Sequence, residues 1–147
     1  MWQHTVCCLA LLAVNGVTAT SQSKLDALPA SVRDRATVII AGELTQGRSA
    51  CIPTDTMGSH RWYRETSLEV QDVLRGKVAA RYLQINEAML PKSKYVRRNL
   101  IDGETYLVLL RPNAESMKII EDREGIFNYR SAMSGDEIVA IVGPIAH

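Results

Sequence analysis

Tyr63-Arg64-Glu65-Thr66-Ser67-Leu68-Glu69-Val70-Gln71-Asp72-Val73-Leu74-Arg75-Gly76 carries the pattern around which the other segments arrange themselves. Thr66, Leu68 and Val70 fall on one face of an extended chain, and Glu65, Ser67, Glu69 and Gln71 on the other. A period of two marks a half-buried strand. At Gln71-Asp72 the alternation slips, and Val73-Leu74 resume as an adjacent apolar pair. One extra residue in a strand is a β-bulge, and bulges bend strands where a small sheet curls back on itself. Gly76 ends the run. Two short strands with a kink between them fit the same residues; one long bent strand, paired on both sides, is the expectation.

Upstream, Ala36 to Leu44 opens a second strand, with Val38, Ile40, Gly42 and Leu44 on one face. Gly42 suggests a bulge or a tight bend. Gln46 to Ser59 has two glycines, a proline and no usable period, and reads as a loop. Downstream, Ala80 to Asn86 reads as a strand with Leu83 and Ile85 inward. Pro91 to Asn99 reads as a basic loop and Asp102-Gly103 as a turn. Glu104 to Leu110 is a near-continuous apolar run, the pattern of a strand buried on both faces. Short strands are expected at Met117–Ile120, Ile126–Tyr129 and Ile138–Val142, the last stopped by Gly143-Pro144. Turn-separated strands with little helix predict an all-β barrel or sandwich.

The N-terminus is different in kind. Val6 to Val14 is uncharged and apolar, and Val17-Thr18-Ala19 has the small residues of a cleavage site. Residues 1–19 therefore read as a signal peptide, with a buried N-terminal helix as the competing reading. The run is too short to span a bilayer, and no later segment is apolar enough, so no transmembrane segment is expected once the signal is removed. Residues 20–35 follow as a polar segment with a short helix broken at Pro29. Thr20 to Lys24 is expected to be disordered, while Leu25, Leu28 and Val32 share helical spacing and would cover one end of a barrel. Residues 36–147 form the barrel domain in this reading. The protein is expected to be exported, periplasmic or secreted.

With 17 Lys and Arg against 16 Asp and Glu, the net charge of +1 gives no global pull toward nucleic acid. Two Trp, five Tyr and one Phe are few for a stacking platform. Cys7 and Cys8 lie within the signal, which leaves Cys51 as a lone thiol, buried and inert or available to pair with another chain.

Three segments carry a resemblance: Ala-Thr-Val-Ile-Ile-Ala-Gly-Glu-Leu at 36–44, Leu-Glu-Val-Gln-Asp-Val-Leu-Arg-Gly at 68–76 and Gly-Glu-Thr-Tyr-Leu-Val-Leu-Leu at 103–110. Together they resemble the small exported bacterial relatives of the netrin-like barrels and tissue inhibitors of metalloproteinases. The likeness covers about Ala36 to Leu110. It implies a five-stranded OB-like barrel, closed or partly open, with short extra strands at the C-terminus. Those inhibitors chelate the protease zinc through an N-terminal Cys, and no Cys lies near the expected mature start here. Inhibition by that route does not carry over.

Four cations in seven residues, Lys92, Lys94, Arg97 and Arg98 with Tyr95 among them, form the densest basic cluster. Such a cluster binds phosphate or an acidic protein surface, or simply keeps a loop solvated. Trp62 and Tyr63 open the central strand, either as a contact patch or as a cap on the core. Cys51, Asp55 and His60 share one stretch; a Cys nucleophile with a His base is an acyl-transfer pair, but a flexible loop does not hold the two in place. Glu65 and Glu69 read as a solvated outward face rather than an acid–base pair. No metal or other cofactor is expected: His60 and His147 are the histidines left after the signal, and Asp55, Glu121 and Asp122 lack calcium-loop spacing.

The expectation is thus a non-enzymatic module that binds another envelope or extracellular protein through Lys92–Arg98, with Trp62 and Tyr63 in support. The alternatives are a small hydrolase or protease inhibitor using the Cys51–His60 stretch, and a barrel that binds oligosaccharide or nucleic acid.

Overall fold

A computed structural model describes residues 11–53, 60–87, 90–121 and 137–145. Its elements are α1 (Leu11–Asp26), α2 (Ala30–Arg33), β1 (Val38–Pro53), β2 (His60–Arg75), β3 (Tyr82–Asn86), β4 (Thr105–Leu110), α3 (Ala114–Glu121) and β5 (Ile138–Val142). The strands form one antiparallel sheet in the order β3-β2-β1-β4-β5, curled into a half-barrel. Strands β1 to β3 are a meander, and β4 returns by a long connection to lie beside β1, which is a Greek-key arrangement.

The bent strand is present. β2 pairs with β1 on one side and β3 on the other. Its register against β1 skips Gln71, between Asp72 opposite Ala41 and Val70 opposite Gly42. This is the bulge that the broken alternation predicts, and Gly42 faces it. A side chain at Gly42 would meet the Glu69 carbonyl oxygen at 3.3 Å and Leu68 Cβ at 3.4 Å. A second skip, at Leu74, sits where the two apolar residues adjoin. Extra residues on one strand of a pair raise its twist, and that curls the sheet.

The strand alternation sorts side chains into two clusters. Val38, Ile40, Leu44, Leu68, Leu83, Ile85, Tyr106 and Val108 line the inner face. Ile39, Ala41, Leu107, Leu109, Val139 and Ala140 line the outer face beneath Leu25, Leu28 and Val32 from the helical segment. Those three residues therefore cover the outer face of β1, β4 and β5. All six residues of β4 are buried, as its unbroken apolar run predicts. At roughly 1.5–3 kcal/mol for each fully buried large aliphatic side chain, the two-sided burial of β4 contributes strongly to stability.

Three expectations are corrected. Gln46–Pro53 is strand rather than loop, because it pairs with the start of β2, with Arg48 opposite Glu65 and Pro53 opposite His60. An irregularity between Thr45 and Arg48 hides the period there. Met117–Ile120 is helical: Asn113 Oδ1 accepts the Glu115 and Ser116 amides at 2.9 and 3.0 Å and so caps α3. Met117 and Ile120, three apart, then pack against the inner cluster. Thr20–Lys24 continues α1 rather than standing disordered, and Ser21 and Leu25 are buried. The strand expected at Ile126–Tyr129 lies outside the described residues.

Gly76 closes β2 at φ +81°, where a Cβ would sit 2.7 Å from the Thr37 carbonyl oxygen. Gly76→Ala is expected to lower the unfolding free energy by about 2 kcal/mol, measured by chemical denaturation. A change within about 0.5 kcal/mol would show that the turn relaxes freely.

Candidate functional site

The basic loop follows β3 and is built by anchors at both ends. Leu90, Val96 and Leu100 are buried in the inner cluster. The buried Tyr106 hydroxyl accepts the Ile101 amide at 2.9 Å, and Gly103 N donates to Leu44 O at 2.8 Å. Between these anchors Val96 makes a parallel bridge to Ile141 of β5. Arg97 N donates to Ile141 O, and Ile141 N to Tyr95 O, each at 2.9 Å. Val96 thus reaches the inner cluster while the half-buried Tyr95 packs on the outer one. The loop behaves as a one-residue strand laid on the edge of β5.

The cations divide by task. Arg97 Nη1 donates to the Gly143 carbonyl at 3.0 Å, and Arg98 Nη2 to the Leu90 carbonyl at 3.2 Å. Both hold backbone that strand pairing leaves open. Lys94 Nζ lies 5.1 Å from the Tyr95 ring centroid, a cation–π contact. Lys92 and Lys94 are exposed, as are Arg97 and Arg98. The loop is therefore a fixed scaffold that presents four cations to solvent.

Trp62 and Tyr63 are placed by register opposite Cys51 and Ala50, beyond the last β2–β3 pair at Glu65 and Asn86. They belong to the β1–β2 hairpin rather than to the body of the sheet. His60 pairs with Pro53, two positions along from the Cys51–Trp62 pair, and Asp55 lies outside the described residues. Within the Cys51–His60 stretch, residues 51–53 and His60 are thus paired strand rather than loop.

The two carboxylates at 65 and 69 are not partners. Glu69 stands directly opposite Glu43, a like-charge cross-strand pair that is unfavourable if left bare. Gln71 Nε2 donates to Glu43 Oε2 at 2.8 Å, and Arg81 donates to Glu69 Oε1 through Nε at 3.0 Å and Nη2 at 2.9 Å. The hydrogen bond to Glu69, followed by the charge on Tyr82, raises the Arg81 pKa above its ordinary value. This is a neutralised surface pair, worth little to stability. On the inner face, the buried Thr66 donates its hydroxyl to Glu87 Oε1. Among the described residues no three His, Cys, Asp or Glu side chains converge in a way that would hold a metal ion, and no helix is long and apolar enough to cross a membrane.

What sequence reading missed is the reach of the hairpin. β1 pairs with β4 only over Val38–Glu43, and β2 with β3 only over Glu65–Glu69. Arg48–Pro53 and His60–Arg64 pair only with each other among the described residues. They form a two-stranded ribbon that runs about 20 Å past the sheet. Its arginines, Arg48, Arg61 and Arg64, stand among Gly, Pro and Cys residues and give no periodic signal. No protein-family model, curated protein or solved structure matches this chain.

The division of the cations is testable by denaturant titration. Arg97→Ala should cost about 1 kcal/mol, because it leaves the Gly143 carbonyl without its donor. Lys92→Ala and Lys94→Ala should each stay within about 0.5 kcal/mol. Equal costs at all three positions would refute the division.

Proposed function

We propose that this chain is an exported, non-enzymatic binding module, an OB-like barrel whose Lys92–Arg98 loop docks another envelope or extracellular protein. The observation that carries the reading is the preorganised loop. Its backbone is bonded to β5 and its ends are buried, so presenting Lys92 and Lys94 costs little ordering on binding. The OB-like assignment is supported by the Greek-key order and by the parallel Val96–Ile141 contact at the β5 end of the sheet. The netrin-like likeness belongs to this proposal and rests on the strand patterns at 36–44, 68–76 and 103–110. Nothing in the site supports the zinc-chelating inhibition of that family.

Export rests on the apolar run and the small residues before Thr20. Ser21 and Leu25, both buried, lie on the retained side of the Ala19–Thr20 bond. If the chain is exported as read, mass spectrometry of the form recovered outside the cytoplasm should give Thr20 as its first residue. Recovery with Met1 intact would end that part of the proposal.

The binding role is tested by capture from envelope and medium fractions at low and high salt, with the unaltered chain beside a Lys92→Glu/Lys94→Glu variant. A single protein retained at high salt by the unaltered chain and lost by the variant is the expected result. Capture of polyanions alone, released as salt rises, would replace the protein-binding reading with that of a polysaccharide or nucleic-acid binder. Retention of the same protein by both chains would remove the loop from the site.

A further inference from the structure

The residues that carry the export reading also fold. α1 runs unbroken from Leu11 to Asp26, so the Ala19–Thr20 bond lies inside a helix rather than in a linker before one. Just past that bond the helix is pinned. Ser21 is 0% exposed and Leu25 6%. Leu25 belongs with Leu28 and Val32 to the cluster that covers Ile39, Ala41, Leu107 and Leu109 on the outer face of the sheet.

The end of α1 is tied down as well. Ala27 N donates to Ser23 O at 3.2 Å, and Leu28 N to Leu25 O at 3.1 Å. Gln22 Nε2 donates to Asp26 Oδ1 at 2.9 Å, and Arg33 Nη1 lies 3.8 Å from the same oxygen. Arg75 of β2 then holds the Arg33 and Ala36 carbonyls at 2.7 and 2.9 Å. Ala19 itself is exposed and Thr20 half-buried. What bars the bond is therefore its helical backbone and the pinning of its neighbours, not a covering side chain. A peptidase takes extended chain, so a bond held in this way is cut only from an opened form. Opening it means unwinding α1 through Ser21 and lifting that residue from its buried place.

We propose that folding and signal removal exclude each other in this chain. The bond after Ala19 is cut only while α1 is undocked, and a chain that folds first keeps residues 1–19. Cleavage site and structural helix are the same residues in two conformations. The cut does not undo the fold, because Leu25, Leu28 and Val32 all lie past Thr20 and stay with the sheet. Membrane crossing and cleavage therefore come before docking of α1, which is left as residues 20–26. The exclusion rests on the reading of residues 1–19 as an export signal.

The test uses the purified full chain, a signal peptidase in detergent, and mass spectrometry of the products over time. A Leu107→Asp/Leu109→Asp chain, with two carboxylates in the buried strand and its unfolding verified by circular dichroism, is the reference for an open site. The folded chain should be cut after Ala19 at least about a hundredfold more slowly than the reference. Ser23→Pro, at an exposed position, removes the amide that a helix pairs with the Ala19 carbonyl. It should speed cutting of the folded chain at least about tenfold. Equal cutting of the folded chain and the reference overturns the exclusion and leaves export standing. No cutting of the reference after Ala19 ends the export reading and the exclusion with it. A folded Ser23→Pro chain cut no faster than the unaltered one overturns the role of α1. Where Ser23→Pro does not fold, amide hydrogen exchange of residues 20–26 in the unaltered chain decides. Protection at least about a hundredfold above the reference supports the exclusion, and exchange as fast as in the reference overturns it.

Discussion

β1 must satisfy hydrogen-bonding neighbours on both edges at once, and the rest of the molecule follows from how far each neighbour extends. Over Val38–Glu43 it lies between β2 and β4, and both its faces are covered. That is why Val38 and Ile40 pack into one cluster while Ile39 and Ala41 pack into the other. Past Glu43 β4 is gone, yet β2 keeps pairing as far as Pro53. One strand thus begins as the centre of a core and ends as one side of a protruding ribbon.

The curl comes from the same pairing. β2 carries two extra residues, at Gln71 and Leu74, against the first half of β1, so it must bend to stay in register. The bend rolls β3 and β5 toward the inner cluster, and the remaining opening is filled from outside the strands. Ile120 of α3 accepts the Ala79 and Ala80 amides at 2.9 Å, and Leu90, Val96 and Leu100 enter from the β3–β4 connection. On the outer face, Arg75 Nη1 donates to the Arg33 and Ala36 carbonyls at 2.7 and 2.9 Å, tying the helical segment to the far end of β2. The basic loop is therefore part of how the half-barrel is finished, which explains its fixed backbone.

Electrostatically the body of the sheet and the basic loop differ. Its body resolves opposed carboxylates with hydrogen bonds, as at Glu43 and Glu69. The 90–100 loop instead carries four exposed cations and no acid. Self-repulsion of this kind costs stability and is sustained when it serves encounter with an oppositely charged surface.

How much was legible in the sequence follows from the range of each cause. The alternation of Thr66, Leu68 and Val70, the slip at Gln71 and the unbroken run at 105–110 are local signals, and each names the strand, bulge or double burial that is found. Pro29 and Gly76 likewise announce their break and turn. Met117 and Ile120 of α3 stand at helical spacing behind the Asn113 cap, but over four residues an apolar pair reads equally as strand. Gln46–Pro53 carried no local signal: its strand character comes from β2, across a hairpin, with the irregularity at Thr45–Arg48 erasing the period. Local pattern sufficed for the elements whose side chains alternate against a core. The three-dimensional fold alone set the backbone of the basic loop, because Val96 bridges Ile141 and Arg97 holds Gly143 through hydrogen bonds between residues far apart in the chain.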